Sequence, residues 1–207
     1  GASRFLLRAM NFLSDTTAPA HPKLIEAIAA ANTGFEPSYG NDAVSARVES
    51  QLRDIFECDL KVLFAVSGTA SNALALSVLC PPDGAILCHD EAHIHRDERG
   101  APEFYTGGAK LIPLKGAHAK IDLSQLDHAL AEIPEGFVHS SPVRVLSLSN
   151  LTESGTAYTV TEVTERAARL KQRPALVHMD GARLAHALVS LGLTPAALTG
   201  NVLLYPS

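Results

Sequence analysis

Hydrophobic and polar positions follow two different periods along the chain. Apolar residues recur at helical spacing in segments 22–32, 43–56, 70–79, 123–133, 161–171 and 184–191, which predicts six amphipathic helices. Short apolar runs lie between them and predict strands at 62–66, 85–88, 110–114, 143–148 and 175–179. Because strands and helices alternate, the pattern predicts an α/β fold with a mainly parallel sheet and helices on both faces.

Composition narrows the function to small-molecule chemistry. The 207 residues carry a net charge of -5 without a cluster of Lys or Arg, which argues against binding to nucleic acid or to a membrane surface. The apolar stretch 5–13 is interrupted by Arg8 and Asn11, so a secretory signal is a poor interpretation. Cys58, Cys80 and Cys88 are odd in number and lack CxxC spacing, so we expect buried thiols and a cytoplasmic protein.

An acidic and a basic residue follow the last predicted strand. The segment LVHMDGARL places Asp180 at the end of an apolar run and Arg183 three residues later, before the helix at 184–191. Ligands of open α/β sheets bind at this edge, where the strands end. An aspartate so placed can bind a cationic nitrogen of a cofactor, although Asp180 could instead serve only as a helix cap.

A second candidate site is the segment SGTASNALAL, where a predicted strand leads into a helix. Gly68 permits close approach of the backbone, Thr69 offers a hydroxyl, and the first helical turn presents N–H groups with partial positive charge. These features fit a bound phosphate group. The segment is neither a GxGxxG motif nor a P-loop, and a capped helix without a ligand fits it equally well.

The third candidate is the histidine-rich segment CHDEAHIHRDE at 88–98. Cys88, His89, His93 and His95 could together bind zinc, although the segment looks too irregular to fix four ligands. Alternatively, His93 stacks on a flat aromatic ligand and transfers protons, while Asp97 or Glu98 orients its ring. The simplest interpretation is a solvated, charged loop.

Six motifs in order resemble one enzyme family. The chain reads LSDTTAP, YGND, SGTASNALAL, DEAHIHRDERGAPEF, SLSNLTESGTAYT and HMDGARL from residue 13 to residue 184. This order resembles the low-specificity L-threonine aldolases, which are β-eliminating lyases that use pyridoxal 5'-phosphate (PLP). The resemblance implies the large domain of PLP-dependent transferases of fold type I, and cleavage of L-threonine or L-allo-threonine to glycine and acetaldehyde.

The resemblance also assigns cofactor contacts to matching positions. Asp180 would pair with the pyridinium nitrogen and keep it protonated, so that the ring can accept electrons. Gly68 and Thr69 would bind the cofactor phosphate. His93 would lie flat on the ring and near the β-hydroxyl of the substrate, where the cleavage needs a base.

Substrate contacts are implied in the same way. Arg183, which also lies beside the cofactor, and Ser14 would bind the carboxylate of the amino-acid substrate, for which a planar guanidinium is well suited. Tyr39 resembles a tyrosine that reaches the site of a neighbouring subunit, which implies a homodimer or homotetramer. The alternatives are that Ser14 only forms a turn and that Tyr39 is a core aromatic residue.

The chain departs from the family pattern at two places. Family members form a Schiff base between the cofactor and a lysine that follows the aspartate, whereas no lysine follows Lys171 here. We therefore expect a truncation or a frame change before that lysine, and the absence of the smaller C-terminal domain. A histidine that some relatives carry after the SLSN strand is replaced by the segment 151–153.

The expected organisation follows from this comparison. Residues 1–13 are predicted to form an N-terminal arm, of which 1–9, ahead of Met10, are expected to be vector-derived or from a shifted frame. Residues 14–207 are predicted to form the PLP-binding large domain. Two hypotheses remain open: this is the large-domain portion of a threonine aldolase that is inactive alone, or it is a non-catalytic domain for cofactor binding or dimerisation.

Overall fold

The structure of the chain is a computed structural model that describes residues 17–200 and the backbone of 203–205. It divides into two compact units, residues 1–46 and 47–207. The described part of the first unit contains helix α1 (Pro22–Ala31) and the start of α2 (Ala43–Phe56). The ring of His21 accepts a hydrogen bond from the backbone N–H of Lys23 and thereby caps α1.

The second unit alternates helices and strands. Its elements are the rest of α2, α3 (Gly68–Leu79), β1 (Ala85–His89), α4 (His93–Arg96), α5 (Ala101–Tyr105), β2 (Lys110–Leu114), α6 (Leu123–Glu132), β3 (Val143–Ser149), α7 (Val160–Ala168), β4 (Leu176–Asp180), α8 (Leu184–Leu191), α9 (Pro195–Thr199) and β5 (Leu203–Tyr205). Polar side chains fix several helix starts, such as the reciprocal bonds between Thr159 and Glu162 at the start of α7. None of the described helices is both long and apolar enough to cross a membrane.

All five described strands form one parallel sheet in the order β2-β1-β3-β4-β5. In the pairing of β3 with β4, Ser147 lies opposite His178 and Ser149 opposite Asp180. Because the strands are parallel, their carboxyl ends meet at one edge of the sheet. Asp180 and the segment after β1 lie at this edge, where α/β proteins bind their ligands.

Helices cover both faces of the sheet. Leu87 and Leu146 lie in one apolar cluster with Leu126 of α6, whereas Ile86 and Val145 lie in another with Leu76 and Cys80 at the end of α3. Neighbouring residues of one strand point to opposite faces, which explains why Ile86 and Leu87 belong to different clusters. The predicted fold class, a parallel sheet with helices on both faces, is confirmed.

Two sequence-based expectations are wrong. Residues 62–66 form no strand, and the side chains of Leu63, Phe64 and Val66 are exposed. An apolar run becomes a strand only when a neighbouring strand pairs with it, and no described strand does so here. The thiol of Cys58 is also exposed, whereas Cys80 and Cys88 are buried as expected, and burial raises the pKa of Cys88 to about 12.

Candidate active site

Asp180 ends strand β4 and is buried. Its Oδ1 accepts a hydrogen bond of 3.0 Å from the backbone N–H of Ala182, and its Oδ2 accepts one of 3.0 Å from the side-chain amide of Asn72. The residue that precedes helix α8 is Arg183, so Asp180 is not the cap of that helix. The carboxylate is therefore fixed at the sheet edge by two donors from different elements.

Asn72 connects Asp180 to the histidine-rich segment. Its side-chain nitrogen also donates to Oε1 of Glu98, at 2.8 Å. The same Glu98 oxygen lies 2.8 Å from Nδ1 of His93. A continuous series of hydrogen bonds thus joins His93, Glu98, Asn72 and Asp180, which come from α4, the segment after it, α3 and β4.

His93 begins the short helix α4. Its environment shows whether the histidine-rich segment is a solvated loop or holds the His93 ring in a fixed orientation. Its side chain is 40% exposed, whereas that of its partner Glu98 is 0% exposed. Glu98 rather than Asp97 therefore orients the ring, and the segment is not simply solvated. Burial raises the pKa of Glu98, and the hydrogen bonds from Asn72 and His93 oppose that effect.

The zinc interpretation finds no support among residues 17–200. No described group of three or more His, Cys, Asp or Glu side chains could hold a metal ion. Cys88 and His89 lie on the buried strand β1, and the ring of His89 is 3.1 Å from the backbone oxygen of Gly116. His93 is bound to Glu98 instead.

The start of α3 presents two backbone donors. The hydroxyl of Ser67 accepts from the backbone N–H of Ala70, and the backbone oxygen of Ser67 accepts from Ser71. The N–H groups of Gly68 and Thr69 have no hydrogen-bond partner among the described residues. These two amides, at the positive end of a 12-residue helix, could bind an anion.

Arg183 contacts the segment that follows β3. Its Nε and Nη2 donate to the backbone oxygen of Leu151 at 3.3 and 3.1 Å, and Nη2 lies 3.4 Å from Oε1 of Glu153. That Glu153 oxygen also accepts a 3.2 Å hydrogen bond from the backbone N–H of His93. Nη1 of Arg183 has no partner among the described residues, and the side chain is 33% exposed, so the guanidinium can still meet a carboxylate.

Comparison with known proteins identifies the family. The model of the family described as "Beta-eliminating lyase" matches residues 11–202 of the chain. The chain belongs to the beta-eliminating lyase family. It is similar to the low specificity L-threonine aldolase of Pseudomonas sp., at 36% identity over 192 residues that cover 93% of this chain and 55% of the relative. The resemblance found in the sequence motifs is thereby confirmed.

Solved structures agree with this assignment. The threonine aldolase of Leishmania major matches with a TM-score of 0.83 and 28% identity, over 90% of this chain and 54% of that protein. Serine palmitoyltransferase of S. paucimobilis, solved with bound PLP, matches with a TM-score of 0.57 at 20% identity, over 78% of this chain and 39% of that protein. The second match shows the fold alone. The chain spans about half the length of the two aldolases.

Two further predicted site residues, Tyr39 and Ser14, precede the second unit in the sequence. Tyr39 belongs to the first unit, where it is exposed and has a φ of 65°, so within this chain it is not a core aromatic residue. Ser14 lies outside the described residues. The sequence analysis did not assign Asn72 and Glu153 to the site. A signal for Asn72 was present, because it lies four residues before Leu76 and therefore on the same, buried face of α3.

Proposed function

We propose that this chain forms the cofactor-binding part of a PLP-dependent lyase that cleaves L-threonine and L-allo-threonine to glycine and acetaldehyde in the cytoplasm. The observation that carries the proposal is the series of hydrogen bonds from His93 through Glu98 and Asn72 to Asp180. It places a half-exposed imidazole and a buried carboxylate in one polar network. The threonine aldolases among the relatives support the substrate class.

Asp180 suits the ring nitrogen of the cofactor. Its carboxylate already accepts from Asn72 and Ala182, and each carboxylate oxygen has a second lone pair for a charged N–H. A buried anion of this kind keeps a bound pyridine nitrogen protonated. When bound, PLP supplies an electron sink for the negative charge that develops on the substrate during cleavage.

Gly68 and Thr69 suit the phosphate group. Their N–H groups begin α3, and Asn72, one turn later on the same helix, contacts Asp180. One rigid helix therefore connects the proposed phosphate contact to the proposed nitrogen contact. Phosphate at a helix start is stabilised by the free N–H groups and by the helix dipole.

His93 can stack on the ring and move a proton. Its Nδ1 is engaged by the buried Glu98, which leaves Nε2 to accept a proton from the β-hydroxyl of the substrate. Arg183 can bind the substrate carboxylate through Nη1 while Leu151 and Glu153 fix the rest of its guanidinium. Ser14 is proposed as a second carboxylate contact, and Tyr39 as a contact to the site of a neighbouring subunit in a homodimer or homotetramer.

The 207 residues by themselves contain no lysine after Lys171, so they lack the amine to which family members attach the cofactor. We propose that the polypeptide of these residues binds PLP without turning substrate over, and that 14–207 form this binding domain after an arm at 1–13. The alternative proposal is a non-catalytic domain for cofactor binding or dimerisation.

The test has two arms. PLP is titrated into the purified chain while its absorbance and the melting temperature of the protein are followed, and saturable binding is expected. A longer protein that includes the lysine is assayed for acetaldehyde release from L-threonine and L-allo-threonine. Absence of release from both substrates, with PLP bound, would reject the aldolase assignment while leaving the cofactor assignment intact.

A further inference from the structure

Asn72 is a buried amide between two buried carboxylates. It is 1% exposed, and Nδ2 donates to Glu98 at 2.8 Å and to Asp180 at 3.0 Å. An asparagine side chain has two N–H donors on that nitrogen, so both are used. Glu98 and Asp180 are far apart in sequence, so the amide joins two distant parts of the chain.

We propose that Asn72 is a positioning residue that holds Glu98 and Asp180 ionised together, so that Glu98 keeps a proton on Nδ1 of His93 while Asp180 keeps its charge for a ligand nitrogen. The part that concerns the ligand rests on the proposed function. The part that concerns His93 depends only on the residues of this chain.

The orientation of the amide follows from its neighbours. If the side-chain amide were flipped, Oδ1 of Asn72 would face two carboxylate oxygens, which are acceptors like itself. With Nδ2 between them, both carboxylates receive a donor, although Oδ1 is then buried without a partner among the described residues. An unpaired buried acceptor is tolerated here because the amide satisfies two charges at once.

Electrostatics explains why an amide is needed at this position. Two carboxylates close together in a buried site repel each other, which disfavours a negative charge on both at once. The pKa of Glu98 is raised by burial and further by Asp180, whereas the hydrogen bond from Asn72 and the neighbouring His93 lower it. Removing the amide donors would therefore favour a proton on Glu98.

A proton on Glu98 would change the tautomer of His93. The ionised carboxylate only accepts, so the Nδ1 atom 2.8 Å away must carry hydrogen, and Nε2 of the neutral ring is left as the acceptor. A protonated Glu98 could donate to Nδ1, and the ring hydrogen would then move to Nε2. The tautomer of His93 therefore reports the charge of Glu98.

The first experiment uses the unliganded chain. Long-range proton–nitrogen NMR spectra, recorded at mildly alkaline pH where a histidine ring is ordinarily neutral, identify the protonated nitrogen of His93. Its signals are assigned with His93→Gln. In the unmutated chain we expect hydrogen on Nδ1. The signal of this tautomer should be mostly lost in Asn72→Leu, which removes the amide donors, and in Asn72→Asp, which preserves the shape of the side chain. Ser77→Ala, on the same helix with a hydroxyl that donates to Leu74, is the control and should change nothing.

Hydrogen on Nε2 in the unmutated chain overturns the proposal, whether or not either variant folds. An unchanged tautomer in a folded Asn72 variant also overturns it. A merely structural role would lower the melting temperature of the variants without moving the tautomer.

The second experiment separates this proposal from the proposed function. PLP titration is expected to give at least about tenfold weaker binding to Asn72→Leu than to the unmutated chain, because the carboxylate of Asp180 loses a hydrogen bond. If PLP binds neither protein while the tautomer still responds to Asn72, the positioning role holds and the cofactor assignment fails. If PLP binds both equally and the tautomer is unchanged, the cofactor assignment holds and the positioning role fails.

Discussion

The hydroxyl oxygen of Ser147 lies 2.8 Å from Nδ1 of His178, directly across the pairing of β3 with β4. His178 is completely buried, two residues before Asp180 on the same strand. Burial lowers the pKa of His178 to about 4, and the negative charge of Asp180 opposes that change. The ring is therefore neutral at physiological pH, and the unfolded chain binds a proton at this residue more readily than the folded chain.

We expect this difference to make stability depend on pH. As the pH falls from 6.5 towards about 4, His178 takes up a proton in the unfolded state but not in the folded state, so the free energy of unfolding decreases. Over the whole interval, this difference in proton uptake lowers the free energy of unfolding by about 3 kcal/mol. Urea unfolding of the unmutated chain and of His178→Gln across this pH range measures it, and the variant should lose less stability over the same interval.

Carboxylates also titrate in that range, so the comparison needs a matched control. His128→Gln serves this purpose because His128 is exposed on α6, where it pairs with Glu132 at 3.3 Å. This variant should have the same pH dependence as the unmutated chain. Equal pH dependence of all three proteins would show that the folded and unfolded states protonate His178 alike.

Tyr158→Phe should destabilise the fold without touching the candidate site. The phenol oxygen of Tyr158 accepts a 2.6 Å hydrogen bond from the backbone N–H of Ile121, which is fully buried, and Arg166 lies against the ring. The variant leaves that N–H without its acceptor, which costs about 1–3 kcal/mol. Tyr105→Phe, at an exposed ring on α5, is the control, and a stability loss no greater than that of the control would contradict the prediction.

Periodicity predicted some helices and strands together with their ends. Helix 43–56 and strand 110–114 begin and end as predicted, because their apolar spacing or their flanking residues mark both ends. The run at 62–66 has the same composition as a buried strand, yet its side chains are exposed. Pairing between strands depends on residues far away in sequence, and a local pattern does not contain that information.

A site residue could be predicted where one segment of sequence gives both the place of the residue in the fold and the chemical group that it carries. Asp180 follows an apolar strand, so its place at the sheet edge could be derived from the sequence. The choice of Glu98 over Asp97 as the partner of His93, and the role of Asn72 between two carboxylates, needed the structure. Both depend on contacts between α3, β4 and the segment after α4, which no spacing rule specifies.

Asp180→Asn should weaken PLP binding by this chain. The substitution keeps the shape of the side chain but removes the charge that favours a protonated ring nitrogen, and a hydrogen bond to a charged group contributes about 1.5–3 kcal/mol. We expect at least about tenfold weaker binding in an absorbance titration. Asp127→Asn removes an equal charge from the exposed surface of α6, where Asp127 pairs with Arg169, and should bind PLP like the unmutated chain. Equal affinities of the two variants would exclude Asp180 as the partner of the ring nitrogen.

In a longer protein that contains the lysine, Asp180→Asn should reduce turnover much more than Ser14→Ala. If Asp180 pairs with the ring nitrogen as proposed, loss of its carboxylate lets that nitrogen lose its proton and removes stabilisation where negative charge develops in the transition state. Ser14 is proposed to give one hydrogen bond to a substrate carboxylate for which Arg183 is also a proposed contact, so its loss should cost about 1 kcal/mol, mainly in KM. Steady-state kinetics at full cofactor occupancy, checked by absorbance, distinguishes the two effects. Near-parental kcat in Asp180→Asn would refute the assignment.

A polypeptide of these 207 residues should release no acetaldehyde from L-threonine, even when saturated with PLP. No lysine follows Lys171, so no amine in the position that the family uses can attach the cofactor and prepare it for exchange with the amino group of the substrate. His93 and Asp180 would then orient a ligand without a path to turnover. Acetaldehyde assays with the chain, with free PLP and with the chain carrying Asp180→Ala measure this. PLP-dependent release by the unmutated chain that Asp180→Ala abolishes would prove the prediction wrong, because that activity would have to come from this site without the lysine.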